Sequence, residues 1–308
     1  MKKENFATTL DVTSTYSGES AGQYISASLF TSDTLDKGLV TIHPNVKYKQ
    51  VISKVDASSL VADASCEFTP GGSVVLTEVV LEPKQLQVNL ELCKSDFINS
   101  WEALSLGYSS FNNIPANFND YLIAKVAENV AEATEKSIWT GVGANNGEFA
   151  GLVADIYAAA DAITITGTTI NSTNVLATME AVYEAIPEQL FGKQDLRLFV
   201  SQKVAKAYQA ALSSTSGSYL NWLTVDSKPL NYQGVPVEVV SGLAGEDVII
   251  AAQISNLHFG TGLMDDFNRV QIIDMQNITG SDTYRIIMKY SAGVKVGITK
   301  EVVMYIGG

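Results

Sequence analysis

The sequence predicts an α+β protein built around a central sheet. Three observations carry that prediction: a long amphipathic helix near the middle of the chain, a helix–strand–helix succession after Ser172, and a series of strand-like segments that fills the C-terminal third. With 308 residues the chain can form one large or two modest domains. A hydrophobic share of 46% against 17% charged places it among globular chains and away from disordered ones. No run of about 18 uncharged apolar residues occurs, so no membrane span is expected. Two lysines open the sequence without an apolar stretch behind them, which is not the pattern of a secretory signal. A chain made and used in a cytoplasm, or released from one by lysis, is expected.

The elements follow in order. Residues 1 to 38 are rich in Ser, Thr and Gly and lack periodicity; they are read as an arm that orders by packing on something else. LVTIHPNVKYKQVISKV, residues 39 to 55, is strand material broken at Pro44. The run from Ser65 to Trp101 is the most informative. Leu86, Val88, Leu90 and Leu92 alternate with Gln85, Gln87, Asn89 and Glu91, the period of a strand with one apolar and one wet face. Its expected partner is Val74 to Glu82, with Pro70, Gly71 and Gly72 setting the near turn and Pro83 interrupting the far end. A two-stranded ribbon is marginal alone in water, so it must lie on its own domain or on a neighbouring subunit.

A helix is predicted over 117–139. Phe118, Leu122, Val126 and Val130 recur every four residues, Asn117 or Asn119 can cap it, and Gly141 stops it. After a Gly- and Asn-rich loop comes the β-like AITITGTTI. Then follow a helix in STNVLATMEAVYEAIPEQL, a strand in DLRLFVS, and a second helix in QKVAKAYQAAL with Ser201 as its cap. VPVEVV, EDVIIAAQ, NLHFG, RVQIID, YRIIMKYSAGVKVGI and EVVMYI read as strands.

Chemistry is scarce. The two histidines, His43 and His258, lie in probable strands and read as strand residues with a satisfied ring nitrogen. No C-x-x-C, H-E-x-x-H or calcium-loop pattern occurs; Asp265, Asp266 and Asn268 read as a solvated turn. GVGANNG lacks the lysine of a phosphate-binding loop and follows a helix, not a strand. Trp101, Trp139 and Trp222 read as core or hinge anchors, and no carboxylate pair is singled out for acid–base work. No catalytic residue, metal ligand or cofactor is therefore expected. Cys66 and Cys93 flank the expected arm and are read as two thiols. A net charge of -13 disfavours gripping nucleic acid but not surrounding it. What remains is contact machinery, and interaction is the expected role.

The order of these parts resembles the major capsid proteins of tailed bacteriophages, the Hong Kong 97 fold. On that resemblance residues 1–38 are an N-terminal arm, 39–50 a peripheral-domain strand and 51–92 an extended loop. Residues 93–171 are a peripheral domain with a spine helix at 117–139, 172–280 an axial domain, and 281–308 closing strands. FAGL (Phe149 to Leu152) looks like the turn after the spine helix, and LNYQGVPVEVV resembles a short family strand, with Gly234, Pro236 and Val237 matching. The likeness spans nearly the whole chain, and its strength lies in order and spacing.

The resemblance implies a non-catalytic subunit that self-assembles, as hexamers and pentamers, into an icosahedral shell around double-stranded DNA. It implies residence in the virion, assembly in the host cytoplasm, no membrane, no sequence-specific DNA contact, and portal and head-completion partners. The helical scaffolding segment of the family's best-known member is not recognised before the arm, so scaffolding is expected from a separate protein, or is not needed. Lys54 and Lys84 lie in or near the arm without a reason to assign a Lys–Asn cross-link, so closure is expected to be noncovalent. The candidate assembly residues are Gly71, Gly72, Leu86, Val88, Leu90, Leu92, Leu122, Val126 and Val130, the last three with a competing role in the subunit's own core. Two alternatives stand beside this: an encapsulin-like bacterial nanocompartment shell, and an α+β enzyme or ligand-binding domain with a cryptic carboxylate site.

Overall fold

A computed structural model describes residues 33–58, 73–93, 116–215, 230–262 and 271–308. In chain order they form α1 (Asp33–Asp36), β1 (Thr41–His43), β2 (Gln50–Ser58), β3 (Ser73–Leu81), β4 (Lys84–Cys93), α2 (Ala116–Thr140), α3 (Leu152–Ala158) and β5 (Ile163–Gly167). There follow α4 (Val175–Glu184), β6 (Leu196–Val200), α5 (Gln202–Thr215), β7 (Asn231–Tyr232), β8 (Val235–Val239), β9 (Val248–Gln253) and β10 (Leu257–Thr261). The last elements are β11 (Gln271–Asp274), α6 (Gln276–Thr279), β12 (Thr283–Val296) and β13 (Val303–Gly307). The chain divides into two compact units. The larger lies within Leu29–Val88, Val126–Val270 and Met288–Gly308; the described residues of the smaller are 89–93, 116–125 and 271–287.

The larger unit holds a six-stranded sheet in the order β5-β13-β9-β6-β8-β7. β9 is buried at all six positions, and its unalternating VIIAAQ is the pattern of a strand covered on both faces. β13, from the C-terminal end, runs parallel to β5 and antiparallel to β9. α4 turns Val175, Met179 and Val182 into the core, where Val204, Ala205, Tyr208 and Ala211 of α5 meet them. Each buried Val or Met among them contributes roughly 1.5–3 kcal/mol. Ser201 caps α5 as expected, its Oγ accepting from the Val204 amide at 3.2 Å. β7 and β8 join through Gln233 and Gly234, both at positive φ, the backbone of a two-residue hairpin turn.

A second sheet of the same unit pairs β1 parallel to β10 and β10 antiparallel to the C-terminal part of β12. In the smaller unit β11 pairs antiparallel with Tyr284–Ile287, and the Glu91 carboxylate accepts from Thr283 Oγ1 at 3.1 Å and Arg285 Nε at 3.3 Å.

One expected pairing is overturned. β3 pairs antiparallel with β2, from Gln50↔Leu81 to Ser58↔Ser73, and not with the strand that carries Leu86, Val88, Leu90 and Leu92. That strand, β4, pairs with β12. The physical reason is the link between them, Glu82-Pro83. A two-residue hairpin needs a turn of positive φ, whereas Pro83 is locked near −65° and offers no N–H. Alternation reported the face of β4 correctly but carried no information about its neighbour. A smaller correction concerns α2, which begins at Ala116, so Asn117 and Asn119 lie inside its first turn instead of capping it. It ends, as predicted, before Gly141, after 25 residues, about 37 Å at 1.5 Å per residue.

Candidate assembly site

β2 and β3 form a two-stranded sheet of their own, joined to no other strand among the described residues. Near its root Val51 and Val80 face each other in register and are 49% and 41% exposed; Tyr48, just before the ribbon, is 71% exposed. Lys49 Nζ bonds Glu82 Oε2 at 3.0 Å and stands 5.2 Å from the Tyr48 ring centroid. The result is an apolar cross-strand pair bordered by an exposed ion pair, an arrangement suited to being covered by another surface.

Behind the exposed pair the root is tied down. Leu81, the last residue of β3, is fully buried. Three residues after the end of β3, the Lys84 ammonium donates to three carbonyls of one loop: Gly143 at 3.1 Å, Asn145 at 3.3 Å and Glu148 at 2.6 Å. All three of its donors are thereby used. The same loop is closed from within by Glu148, whose Oε2 accepts from the Val142 amide and from Asn145 Nδ2, and these bonds hold its carboxyl below the usual range.

Gln50, the first residue of β2, donates from Nε2 to His43 Nδ1 at 3.1 Å. That leaves the ring proton of His43 on Nε2, which donates to His258 Nδ1 at 3.0 Å. Burial, and then the nearby His43, push His258 down to about 4. The two histidines thus form a structural relay that binds the ribbon root to β10, with neither poised as a base for a nucleophile.

A buried clasp holds the start of the described chain. Glu135, 1% exposed on α2, accepts from the Thr34 amide at 3.1 Å and from Thr34 Oγ1 at 2.6 Å; Thr34 Oγ1 in turn accepts from Trp139 Nε1 at 2.7 Å. Trp139 is fully buried against Phe199, ring centroids 5.0 Å apart, so its reading as a core anchor holds.

The sequence-derived candidates fall in different places. Gly71, Gly72, Cys66, Trp101, Trp222 and the Asp265–Asn268 turn lie outside the described residues. Leu86 is buried, and Val88, Leu90 and Leu92 are half-buried on one face of β4, off the ribbon. Leu122 lies in α2, and Val126 and Val130 are 7% and 6% exposed, packed inside their own chain. Tyr48, Val51 and Val80 were not singled out. For Val80 a signal was present in the run VVL, which puts apolar groups on both faces of a strand.

Among the described residues no three His, Cys, Asp or Glu side chains are grouped to hold a metal. A groove of about 390 Å³ is lined by Gln85, Leu86, Gln87, Lys289, Tyr290 and Ser291. No helix among them is long and apolar enough to cross a membrane.

Residues 110–294 match the model of the phage capsid family. The chain belongs to that family. Its fold is shared with solved phage capsid proteins. It is similar to that of Gordonia phage Cozz at a TM-score of 0.64 and 12% identity, covering 94% of this chain and 91% of that one. Likewise it resembles the capsid of a native GTA particle (0.63, 10% identity, 91% of each chain) and the capsid of Myoviridae phage XM1 (0.58, 13%, 89% and 92%). No curated protein sequence matches it. The expected mixed α+β capsid architecture is therefore present in this capsid protein, and the nanocompartment and enzyme alternatives are not favoured.

Proposed function

We propose that copies of this capsid protein close into an icosahedral shell of hexamers and pentamers around double-stranded DNA. In that shell the β2–β3 ribbon lies on neighbouring copies. The observation that carries the ribbon's role is its isolation: two strands of nine residues, paired with no other strand among the described residues, that present Val51 and Val80 to solvent. Such a ribbon gains its missing partner surface only from elsewhere, and shell contacts of modest size sum around a closed symmetry. The apolar face of β4 and the Gly71–Gly72 turn are further proposed contacts. A net charge of -13 suits a container that does not pin its genome, since a basic wall would bind phosphate strongly. The protein acts without catalysis and with noncovalent closure. Scaffolding, portal and head-completion proteins are its proposed partners, assembly takes place in the host cytoplasm, and the virion is its final location.

Light scattering and negative-stain imaging of the purified chain, alone and with its scaffold, test this. Closed particles of megadalton mass are expected. A species of a few copies under every condition would overturn it, and a ladder of fused subunits on denaturing gels would overturn noncovalent closure.

A further inference from the structure

We infer that Gly260 and Gly293 form a seat that sets how the β2–β3 ribbon leaves the sheet, and that they are positioning residues for assembly; this rests on the shell reading above. The two glycines are direct cross-strand partners in β10 and β12, and both are buried. Cross-strand partners share a sheet face, so two missing side chains side by side leave a trough. The ribbon root fills it. A Cβ on Gly260 would lie 2.8 Å from Leu81 Cδ2, 3.0 Å from Leu81 Cγ and 3.2 Å from Pro83 Cγ. A Cβ on Gly293 would lie 2.9 Å from Pro83 Cα and 3.0 Å from the Glu82 carbonyl oxygen.

The same row continues across the sheet, because His43 of β1 is the register partner of Gly260. His43 accepts from Gln50, and Gln50 is paired with Leu81 in the last rung of the ribbon. One line of residues, His43–Gly260–Gly293, therefore underlies the rung from which the ribbon departs, while Lys84 anchors the outgoing chain to its loop. The ribbon is a lever: nine residues at ~3.4 Å each reach about 30 Å, so a tilt of ~10° at the root moves the far end by about 5 Å. An interface at that end would be lost or re-registered by such a shift.

The two glycines differ in a way that allows a test. A methyl at Gly260 meets side-chain atoms of Leu81 and Pro83, and Leu81→Val removes the nearest of them, Cδ2. A methyl at Gly293 meets backbone, so the root itself must rise. Four full-length variants are compared with the native chain: Gly293→Ala, Gly260→Ala, Gly260→Ala with Leu81→Val, and Gly192→Ala, where the added Cβ meets nothing within 4 Å. Thermal melting reports the fold, imaging reports particle yield and diameter, and amide exchange at Val51, Ile52, Val79 and Val80 reports the root.

Gly293→Ala is expected to keep a cooperative melt yet lose particles of native diameter at least tenfold. Gly260→Ala should fall between, Leu81→Val should recover part of its loss, and Gly192→Ala should behave as native. Native yield and diameter for Gly293→Ala would overturn the inference. Should Gly293→Ala fail to fold, the Gly260→Ala pair decides, and absence of rescue by Leu81→Val overturns it. Should the native chain itself build no particle, the shell reading fails, and the seat is judged by amide exchange: faster exchange at the root in Gly293→Ala supports it, unchanged exchange sinks it.

Discussion

His43 and His258, 215 positions apart in sequence, share a single hydrogen bond, Nε2–H to Nδ1 at 3.0 Å. A bond between two imidazoles survives only while the accepting ring is neutral at that nitrogen. Protonating His258 sets its Nδ1–H against the His43 Nε2–H and removes the bond. The ribbon root, held through Gln50, is then the first element to feel acid.

The pH dependence follows from the direction of the shift. His258 titrates near 6.5 when unfolded and at about 4 when folded, so the unfolded chain takes up the proton first. Its stabilising contribution is complete above pH 6.5 and is lost as pH falls toward 4, by at most about 1.4 kcal/mol per pH unit. The groups around the pair are Gln50 of β2 and, across β12, Lys295 with its partner Asp155. Melting temperatures at pH 7.5 and pH 5 are expected to differ by less in His258→Asn than in the native chain. Equal pH slopes would contradict the assignment.

Removing the clasp hydroxyl is expected to be costly. Thr34→Val keeps the shape but leaves Glu135 Oε1 and Trp139 Nε1 without their bonds to it in a buried setting. A loss of about 1–3 kcal/mol is expected from two buried hydrogen bonds removed together, measured by urea unfolding.

The exposed pair should separate assembly from folding. Val51→Asp or Val80→Asp places a carboxylate on a surface already in water, so stability should change by less than about 1 kcal/mol. Particle yield should nevertheless drop at least tenfold, because the proposed covering surface would bury that charge unpaired.

Lys84→Met tests the three-carbonyl anchor. The site is exposed, and a loss of about 0.5–1.5 kcal/mol is expected. Faster amide exchange in 142–148 at unchanged secondary structure would locate the effect.

Much of the architecture was visible in local pattern. The four-residue spacing and the stop at Gly141 marked α2 to within a residue at each end, and the strand-like run YRIIMKYSAGVKVGI covers most of β12. Ser201 caps α5 where expected, whereas the helix read through STNVLATMEAVYEAIPEQL stops at Glu184, ahead of Pro187. The candidate contacts were less visible. Val126 and Val130 carried both readings, contact face and core, and are buried within their own chain, since an apolar helix stripe reads the same whether its cover is its own chain or another. The exposure of Tyr48, Val51 and Val80 was not legible, because exposure is not a property of a residue's own spacing.

Side-chain period depends on atoms two to four residues apart, so helices, strands and their inward faces could be assigned from residue order alone. Which strands meet depends on closing long stretches of chain, and many closures cost nearly the same entropy. The partnership of β3 with β2, the facing glycines 260 and 293 and the contact of the two histidines were therefore settled only by folding. There, one proline that could not make a tight turn sent β4 to another neighbour.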